Sequence, residues 1–364
     1  MRTVLFAGGG TGGTVGPGIA IAERLRALDS ELAIRFLCSD RSVDRRLLDP
    51  GAWSATPTPA RSPSIRPAAA WQFLRGWRGT RRIAGEAMSR GFRGRVVALG
   101  GFVAPPVVAE ARTRGVPVDL LNLDAVPGRA NRWIAARAER VFTAVDADLT
   151  LDRPPIGMPL RRCSLPSGDA GSARTALDLD ADRRTLLVTG ASQGARSIDR
   201  FVERMIRERP EAFEGWQVIH LVSGESDRLQ AGYRRAGVRA TVRPFLQDMG
   251  VAWAAADLAI SRGGASSIAE IAASGTPAIV LPYPWHADRH QAQNAEPLRR
   301  RGAVEVLDDP VDGSEAETRL ARALMRLLTD PAALSTLREA FPTVEGDPAE
   351  TMARSLLEAL EVDG

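Results

Sequence analysis

The chain has 364 residues, 44% of them hydrophobic and 25% charged; that is too long for one compact core, and the composition is that of a soluble globular protein with two domains. No apolar run approaches the ~18 residues of a membrane span, and TVLFA at residues 3–7 follows no basic leader, so a non-spanning protein on the cytoplasmic side is expected. All 48 basic residues are arginine, which excludes a P-loop and a Tyr-x-x-x-Lys dehydrogenase pair, since each requires a lysine.

The net charge is +4, yet residues 1–165 carry 25 arginines against 14 acids and residues 166–364 carry 23 against 30. A basic first half suits nucleic acid, an anionic membrane surface or a phosphate-bearing acceptor. Cys38 and Cys163 fit no metal or redox spacing and are read as buried thiols.

In chain order, the strand at 3–7 runs into Gly8-Gly9-Gly10-Thr11-Gly12-Gly13-Thr14, and Pro17 leads a helix from Ile19 to Leu28. A strand, a glycine loop and a helix make an anion cradle, because the first amides of a helix lack carbonyl partners and the dipole favours negative charge. Gly8, Gly10 and Gly13 also satisfy G-x-G-x-x-G, and Asp40 after the strand at 32–38 mimics a ribose-binding acid. A second nucleotide-like unit downstream argues against a nicotinamide cofactor. Between residues 61 and 95, Trp71, Leu74 and Trp77 recur along a helix beside Arg75, Arg78, Arg81 and Arg82. Membrane contact and packing on a sheet both account for that stripe. A strand at 96–99 enters Gly100-Gly101-Phe102, with a helix at 103–112, and another at 116–123 ends at Asp124 before a helix at 131–138. Such strand ends should open on one edge of a parallel sheet. Residues 153–173, rich in Pro, Gly and Ser, read as a linker.

The second half repeats this logic, with a strand at 185–189, a loop at 190–195, a helix from Ser197, and strands at 217–221 and 241–242. Then Leu258-Ala259-Ile260 leads into Gly263-Gly264, a small-residue helix carrying Glu270, and a strand at 278–281. A helix start stripped of side chains suits a nucleoside diphosphate, with Glu270 placed for ribose hydroxyls; an ordinary βαβ crossover with glycines for close packing is the alternative. Amphipathic helices at 315–328 and 349–360 follow. Neither His286-x-Asp288-x-His290 nor Asp146-x-Asp148 is read as a metal site, because alternate loop residues rarely converge without further ligands.

Two Rossmann-like halves joined by a proline-rich hinge describe the α/β GT-B architecture: doubly wound parallel-sheet domains facing a central cleft. The domains expected are residues 1–160, with a C-terminal helix at about 345–364 packing back onto them, and residues 165–344. In order, GGTGG, GGFVAPPV, VPGRANRW, GMPLR, GASQGAR, FLQDM and RGGASSIAEIAASGTPAIVLPYP with DRHQAQNA resemble the motifs of the MurG family of N-acetylglucosaminyltransferases. The resemblance spans nearly the whole chain, and it implies that the first domain is the acceptor and membrane side and the second the donor side.

That resemblance implies transfer of N-acetylglucosamine from UDP-N-acetylglucosamine to a lipid-linked pyrophosphate acceptor, the undecaprenyl muramoyl-pentapeptide precursor of peptidoglycan. The reaction inverts the anomeric carbon and needs no cofactor or metal; the partners are the two substrates and an anionic membrane surface, not nucleic acid. It implies that Phe245 and Leu246 meet uracil and Glu270 the ribose. Ser192, Gln193 and Gly194, with Gly264, Ala265, Ser266, Ser267, Ile268 and Ala269, would take the diphosphate. Arg161, Gln291 and Asn294 would serve the donor sugar, with Thr11, Gly12, Gly13 and Asp124 nearby. Gly9, Gly10, Gly100, Gly101, Phe102 and Asn131 would hold the acceptor's pyrophosphate, and Trp71, Leu74, Trp77, Arg75 and Arg78 would meet the membrane.

The pattern departs from the family where its histidine after GGTGG is Thr14, where His-Glu-Gln-Asn reads Leu121-Asn122-Leu123-Asp124, and at Met158. The chain's histidines, His220, His286 and His290, all lie in the second half. With no imidazole in the first half, Asp124 becomes the candidate base, beside Thr11 and Thr14; a helix cap or a stand-in for asparagine is its structural alternative. Transfer to another lipid or polyketide acceptor, and a UDP-sugar-binding scaffold without turnover, are the competing readings.

Overall fold

Continuous apolar runs such as Val4-Leu5-Phe6-Ala7 and Val96-Val97-Ala98, each residue 0% exposed, belong to strands covered on both faces, which is the condition of parallel sheets. The computed structural model describes residues 2–362 apart from 11, 49–50, 64–65, 150–153, 191–194, 223, 285–289, 311–313 and 344–345. It divides into two compact units, residues 1–161 with 346–364 and residues 162–345.

The first unit contains β1 (Arg2–Ala7), α1 (Gly12–Leu28), β2 (Ala33–Ser39), α2 (Ser42–Leu47), β3 (Ser54–Thr58), α3 (Pro67–Ala87) and β4 (Arg93–Ala98). It continues with α4 (Ala104–Thr113), β5 (Val118–Asn122), α5 (Arg129–Ala135) and β6 (Arg140–Thr143). Its strands form one parallel sheet in the order β3-β2-β1-β4-β5-β6. Beneath the β4–β6 side, the wholly buried Arg95 and Asp119 pair at 2.9 Å, and Arg140 adds a second guanidinium 2.8 Å from the same carboxylate.

The second unit contains α6 (Ala170–Ala176), β7 (Arg184–Thr189), α7 (Arg196–Glu208), β8 (Trp216–Leu221), α8 (Ser226–Arg235), β9 (Ala240–Arg243) and α9 (Met249–Ala255). After these come β10 (Leu258–Ser261), α10 (Ala265–Ser274), β11 (Ala278–Val280), α11 (His290–Arg301), β12 (Val304–Val306), α12 (Ser314–Thr329) and α13 (Pro331–Glu339). Its sheet runs β12-β11-β10-β7-β8-β9, also all parallel. One face buries Phe201, Trp216 and Tyr233, the other Trp253, Ile268 and Ile271. The Trp216 indole N–H donates to the Leu328 carbonyl at 2.9 Å, tying the end of α12 to β8.

The last helix, α14 (Pro348–Val362), belongs to the first unit. Asp347 caps it through the amides of Ala349 and Glu350 and accepts from Arg24 of α1 at 2.8 Å. Arg140 donates to the Ser355 carbonyl at 2.8 Å, so the buried ion-pair cluster also grips this helix.

Several elements differ from the sequence reading. Helix α1 starts at Gly12, well before Ile19, with Pro17 inside it; the amide that proline lacks would have met the Gly13 carbonyl, close to the helix start, where one missing bond is tolerated. The edge strand β3 contains Pro57 and β12 has three residues; proline in a run argues against a strand except at an edge. Cys38 is buried as expected, but Cys163 is half-exposed, in the 3-10 turn Arg162–Ser164.

Candidate active site

In both sheets the chain starts in the middle, winds outward to one side, then returns beside its first strand and winds to the other. The crevice of such a sheet lies at the carboxyl ends of the two central strands, where successive loops diverge. Those strands are β1 and β4 in the first unit, β7 and β10 in the second. The glycine loops found in the sequence follow these four strands.

In the first unit the two loops interlock. A Cβ on Gly101, whose φ is +72°, would lie 2.6 Å from the Gly9 carbonyl oxygen, and one on Gly10, at φ +103°, 2.5 Å from Phe102 Cε1. Neither position has room for a side chain, and both adopt a backbone that favours glycine. Sequence reasoning missed Asp44 on α2, a wholly buried carboxylate beneath this loop. Its Oδ2 accepts from the Gly10 amide at 2.9 Å, the Ser39 amide at 3.0 Å and the Ser39 hydroxyl. Arg41 donates to the Gly10 carbonyl at 2.7 Å, its guanidinium carbon 5.1 Å from the Phe102 ring centre. The Gly10 N–H expected to face a pyrophosphate is therefore engaged by Asp44, and Gly10 shapes the loop from beneath. The only signal for this in the sequence was an acid in the first turn of a short helix.

Thr14 lies half-buried in the first turn of α1, and Thr11 lies outside the described residues. Asn131 lies beside Gly100, and its side-chain amide donates to Asn122 Oδ1 at 2.9 Å. Asn122 in turn donates to the Asp124 carbonyl at 2.7 Å, which holds the bend after β5. Asp124 is half-buried at that bend; the N-cap of α5 is Gly128, so Asp124 does not cap the next helix.

Along α3, Trp71 and Leu74 are 61% and 56% exposed, and Arg75 and Arg78 are exposed with them. Trp77 does not share their face: its ring meets Trp133 edge-on at 6.4 Å and Phe73 at 5.9 Å. At 3.6 residues per turn, a six-residue step ends about 120° away from its start, so the expected three-residue stripe ran across two faces.

In the second unit, Gly264 is the N-cap of α10. The amides of Ala265, Ser266 and Ser267 follow it in the first turn, where the helix itself offers no carbonyl partner. A Cβ on Gly264 would have only Ser267 Oγ nearby, at 3.8 Å, whereas one on Gly263 would lie 2.3 Å from the Gln291 carbonyl oxygen. Gly263 is thus dictated by packing and Gly264 is not. Ile268 departs from its expected role: its amide bonds the Gly264 carbonyl at 2.9 Å and its side chain enters the core. Ala269 is half-buried.

Gln291 and Asn294 reach this turn from α11. Asn294, 9% exposed, donates to the Gly263 carbonyl at 3.1 Å, and Gln291 Oε1 accepts from the Tyr283 amide at 2.9 Å. Trp253, buried on α9, donates to Glu270 Oε2 at 3.0 Å and so orients the carboxylate, a contact the sequence did not reveal. Phe245 is 43% exposed, while Leu246 packs on the core beneath it. Arg161 lies half-buried in the segment after β6. Ser192, Gln193 and Gly194 lie outside the described residues, as do His286 and Asp288.

His220 is buried away from these loops. Its Nδ1 lies 2.8 Å from the Tyr233 hydroxyl and its Nε2 3.2 Å from Asp199 Oδ1. Burial first, then the Asp199 charge, holds the Tyr233 hydroxyl protonated well above the usual tyrosine range.

Two sheets of this order with glycine turns after their central strands are those of the GT-B fold, the architecture that nucleotide-sugar glycosyltransferases share. Residues 4–143 match the glycosyltransferase family 28 N-terminal domain and residues 185–349 its C-terminal domain. The chain is 34% identical over 371 residues to the UDP-N-acetylglucosamine–N-acetylmuramyl-(pentapeptide) pyrophosphoryl-undecaprenol N-acetylglucosamine transferase of Sorangium cellulosum, covering 98% of this chain and 88% of that protein. It is 36% identical to the enzyme of the same name from Clavibacter michiganensis subsp. michiganensis, over 99% of this chain and 97% of that one. The crystal structure of Acinetobacter baumannii MurG superposes with a TM-score of 0.70 at 22% identity, covering 98% of this chain and 99% of that one. The chain belongs to the MurG family, within glycosyltransferase family 28.

Proposed function

We propose that the chain transfers N-acetylglucosamine from UDP-N-acetylglucosamine to the muramoyl sugar of undecaprenyl-pyrophosphoryl-N-acetylmuramoyl-pentapeptide, with inversion at the anomeric carbon. The observation that carries this reading is the start of α10, where a glycine that packing does not require precedes a first turn of amides and a carboxylate oriented by Trp253. The diphosphate lies against Gly264 to Ser267, and the ribose hydroxyls donate to Glu270. Phe245 and Leu246 present backbone to the uracil. As the acceptor hydroxyl attacks the anomeric carbon, the glycosidic bond to UDP breaks, and the helix start stabilises the charge growing on the departing diphosphate.

The attacking hydroxyl must lose its proton, and in the first unit a carboxylate takes the place of the family histidine. Asp124, at the carboxyl end of β5, is that base, and Thr11 and Thr14 are the further catalytic candidates. Residues 1–160 with the terminal helix serve the acceptor and residues 165–344 the donor. No helix among the described residues is long and apolar enough to cross a membrane. Trp71, Leu74, Arg75 and Arg78 form an exposed amphipathic stripe that meets the anionic cytoplasmic face on which the acceptor is carried.

Turnover with UDP-N-acetylglucosamine and a short-chain analogue of the lipid acceptor tests the reading; UDP binding without transfer would leave a scaffold in place of an enzyme. Near-normal turnover by Asp124→Asn would remove Asp124 as the base. Sedimentation with anionic vesicles tests the stripe: a Trp71→Ala/Leu74→Ala variant that pellets like the parent would remove the membrane contact.

A further inference from the structure

Immediately before the Gly263-Gly264 turn lies Arg262, whose side chain is only 7% exposed. One Nη donates to the Leu281 carbonyl at 2.9 Å and to Asp309 Oδ2; the other donates to Ser197 Oγ at 2.9 Å. The Ser197 hydroxyl donates to the same Asp309 oxygen at 3.0 Å. The guanidinium carbon stands 5.8 Å from the centre of the Tyr283 ring. Four segments at the carboxyl edge of the second sheet thus converge on one cation: the turn after β10, the end of β11, the start of α7 and the loop after β12.

A cation next to a diphosphate cradle would ordinarily be read as the anion's counter-charge. Burial argues otherwise, since neither Arg262 nor Asp309, whose side chain is 0% exposed, can reach a ligand without the loops opening. Asp309 neutralises the guanidinium and turns it inward, so that its donors hold the Leu281 carbonyl and the Ser197 hydroxyl. Its Oδ1 is buried and accepts no hydrogen bond among the described residues. A buried carboxylate left half-satisfied is poorly explained by stability alone.

We propose that Asp309 is a positioning residue for the nucleotide-sugar site: acting through Arg262, it fixes the Gly263-Gly264 turn at the start of α10 in the geometry that accepts the diphosphate. The inference rests on the donor site lying at this edge. The coupling runs from Asp309 to Arg262, along the backbone to Gly263, and from there to Asn294 and α11. Displacement of the turn by about 1 Å is enough to degrade a cradle built from backbone amides.

UDP titration calorimetry on the full chain, with steady-state kinetics, tests this. Asp309→Asn keeps the shape but removes the charge, and should weaken UDP about tenfold or more and raise the KM for UDP-N-acetylglucosamine, with kcat changed far less. Arg262→Met combined with Asp309→Leu replaces the pair by apolar groups of similar size, which restores packing without restoring the tether. It should melt at or above the temperature of Asp309→Asn and still bind UDP weakly. UDP affinity within twofold of the parent in that double variant, or in Asp309→Asn, would overturn the proposal. Should the parent itself fail to bind UDP, the donor-site reading falls first and this inference with it; should the parent bind and both variants match it, only this inference falls.

Discussion

Gly264→Ser separates a glycine kept for the fold from one kept for a ligand. In the protein alone nothing forbids the substitution, because φ is −64° and ψ 144° and the nearest atom to a new Cβ would be Ser267 Oγ at 3.8 Å. Serine is also a better N-cap than glycine, by a few tenths of a kcal/mol, so the melting temperature should stay level or rise by about 1 °C. The new hydroxyl caps by accepting from the amides at the start of α10, the same donors a diphosphate would use, and its Cβ occupies the approach to them. Losing one or two such contacts, about 1.4–3 kcal/mol, should weaken UDP binding roughly ten- to hundredfold. Calorimetric titration with UDP beside a thermal melt reads both quantities. Gly263→Ala is the counterpart: its methyl would press on the Gln291 carbonyl, and overpacking of about 1–3 kcal/mol should lower the melting temperature outright. Undiminished UDP affinity in Gly264→Ser, with the melt unchanged, would refute the assignment of this turn as the diphosphate site.

The remaining predictions mainly concern the first unit. Asp44→Ala leaves the Gly10 and Ser39 donors without their carboxylate and should cost about 2–4 kcal/mol in guanidinium unfolding while raising the acceptor KM more than the donor KM. Asp119→Ala removes the buried carboxylate shared by Arg95 and Arg140 and leaves Arg95 its pair with the exposed Glu139; about 3 kcal/mol should be lost, seen by calorimetry as a drop of about 6–12 °C. Burial first, then the nearby Asp44 charge, pushes the Cys38 thiol up to about 11. In the native protein at pH 8 a thiol reagent should therefore titrate only the half-exposed Cys163, with Cys38 reacting after denaturation or as pH rises towards that value.

The strand–glycine–helix units were legible because everything that makes them is local. Apolar runs, glycines at turns and small residues at helix starts lie within about ten residues of one another, and the rule that parallel strands share a ligand edge then brought four loops to the switch points. Faces were harder to read than elements, as Trp77 shows: the spacing named a helix, and only its contact with Trp133 showed which way the ring turned. The edge strands β3 and β12 escaped notice because a neighbour's ladder, not their own propensity, makes them strands.

Residue types and their order in the sequence determined that the chain folds as paired Rossmann-type units of the GT-B class and that the turn before α10 is a candidate anion site. The tertiary structure decided what each polar group in those turns is for. It gave the Gly10 amide to Asp44, the Asn131 amide to Asn122, the Glu270 carboxylate to Trp253 and the Arg262 guanidinium to an acid 47 residues further on. Backbone conformation is set by neighbours in the chain, but whether a donor is spent on the fold or left for a ligand depends on which distant side chain arrives beside it, and no local pattern encodes that arrival.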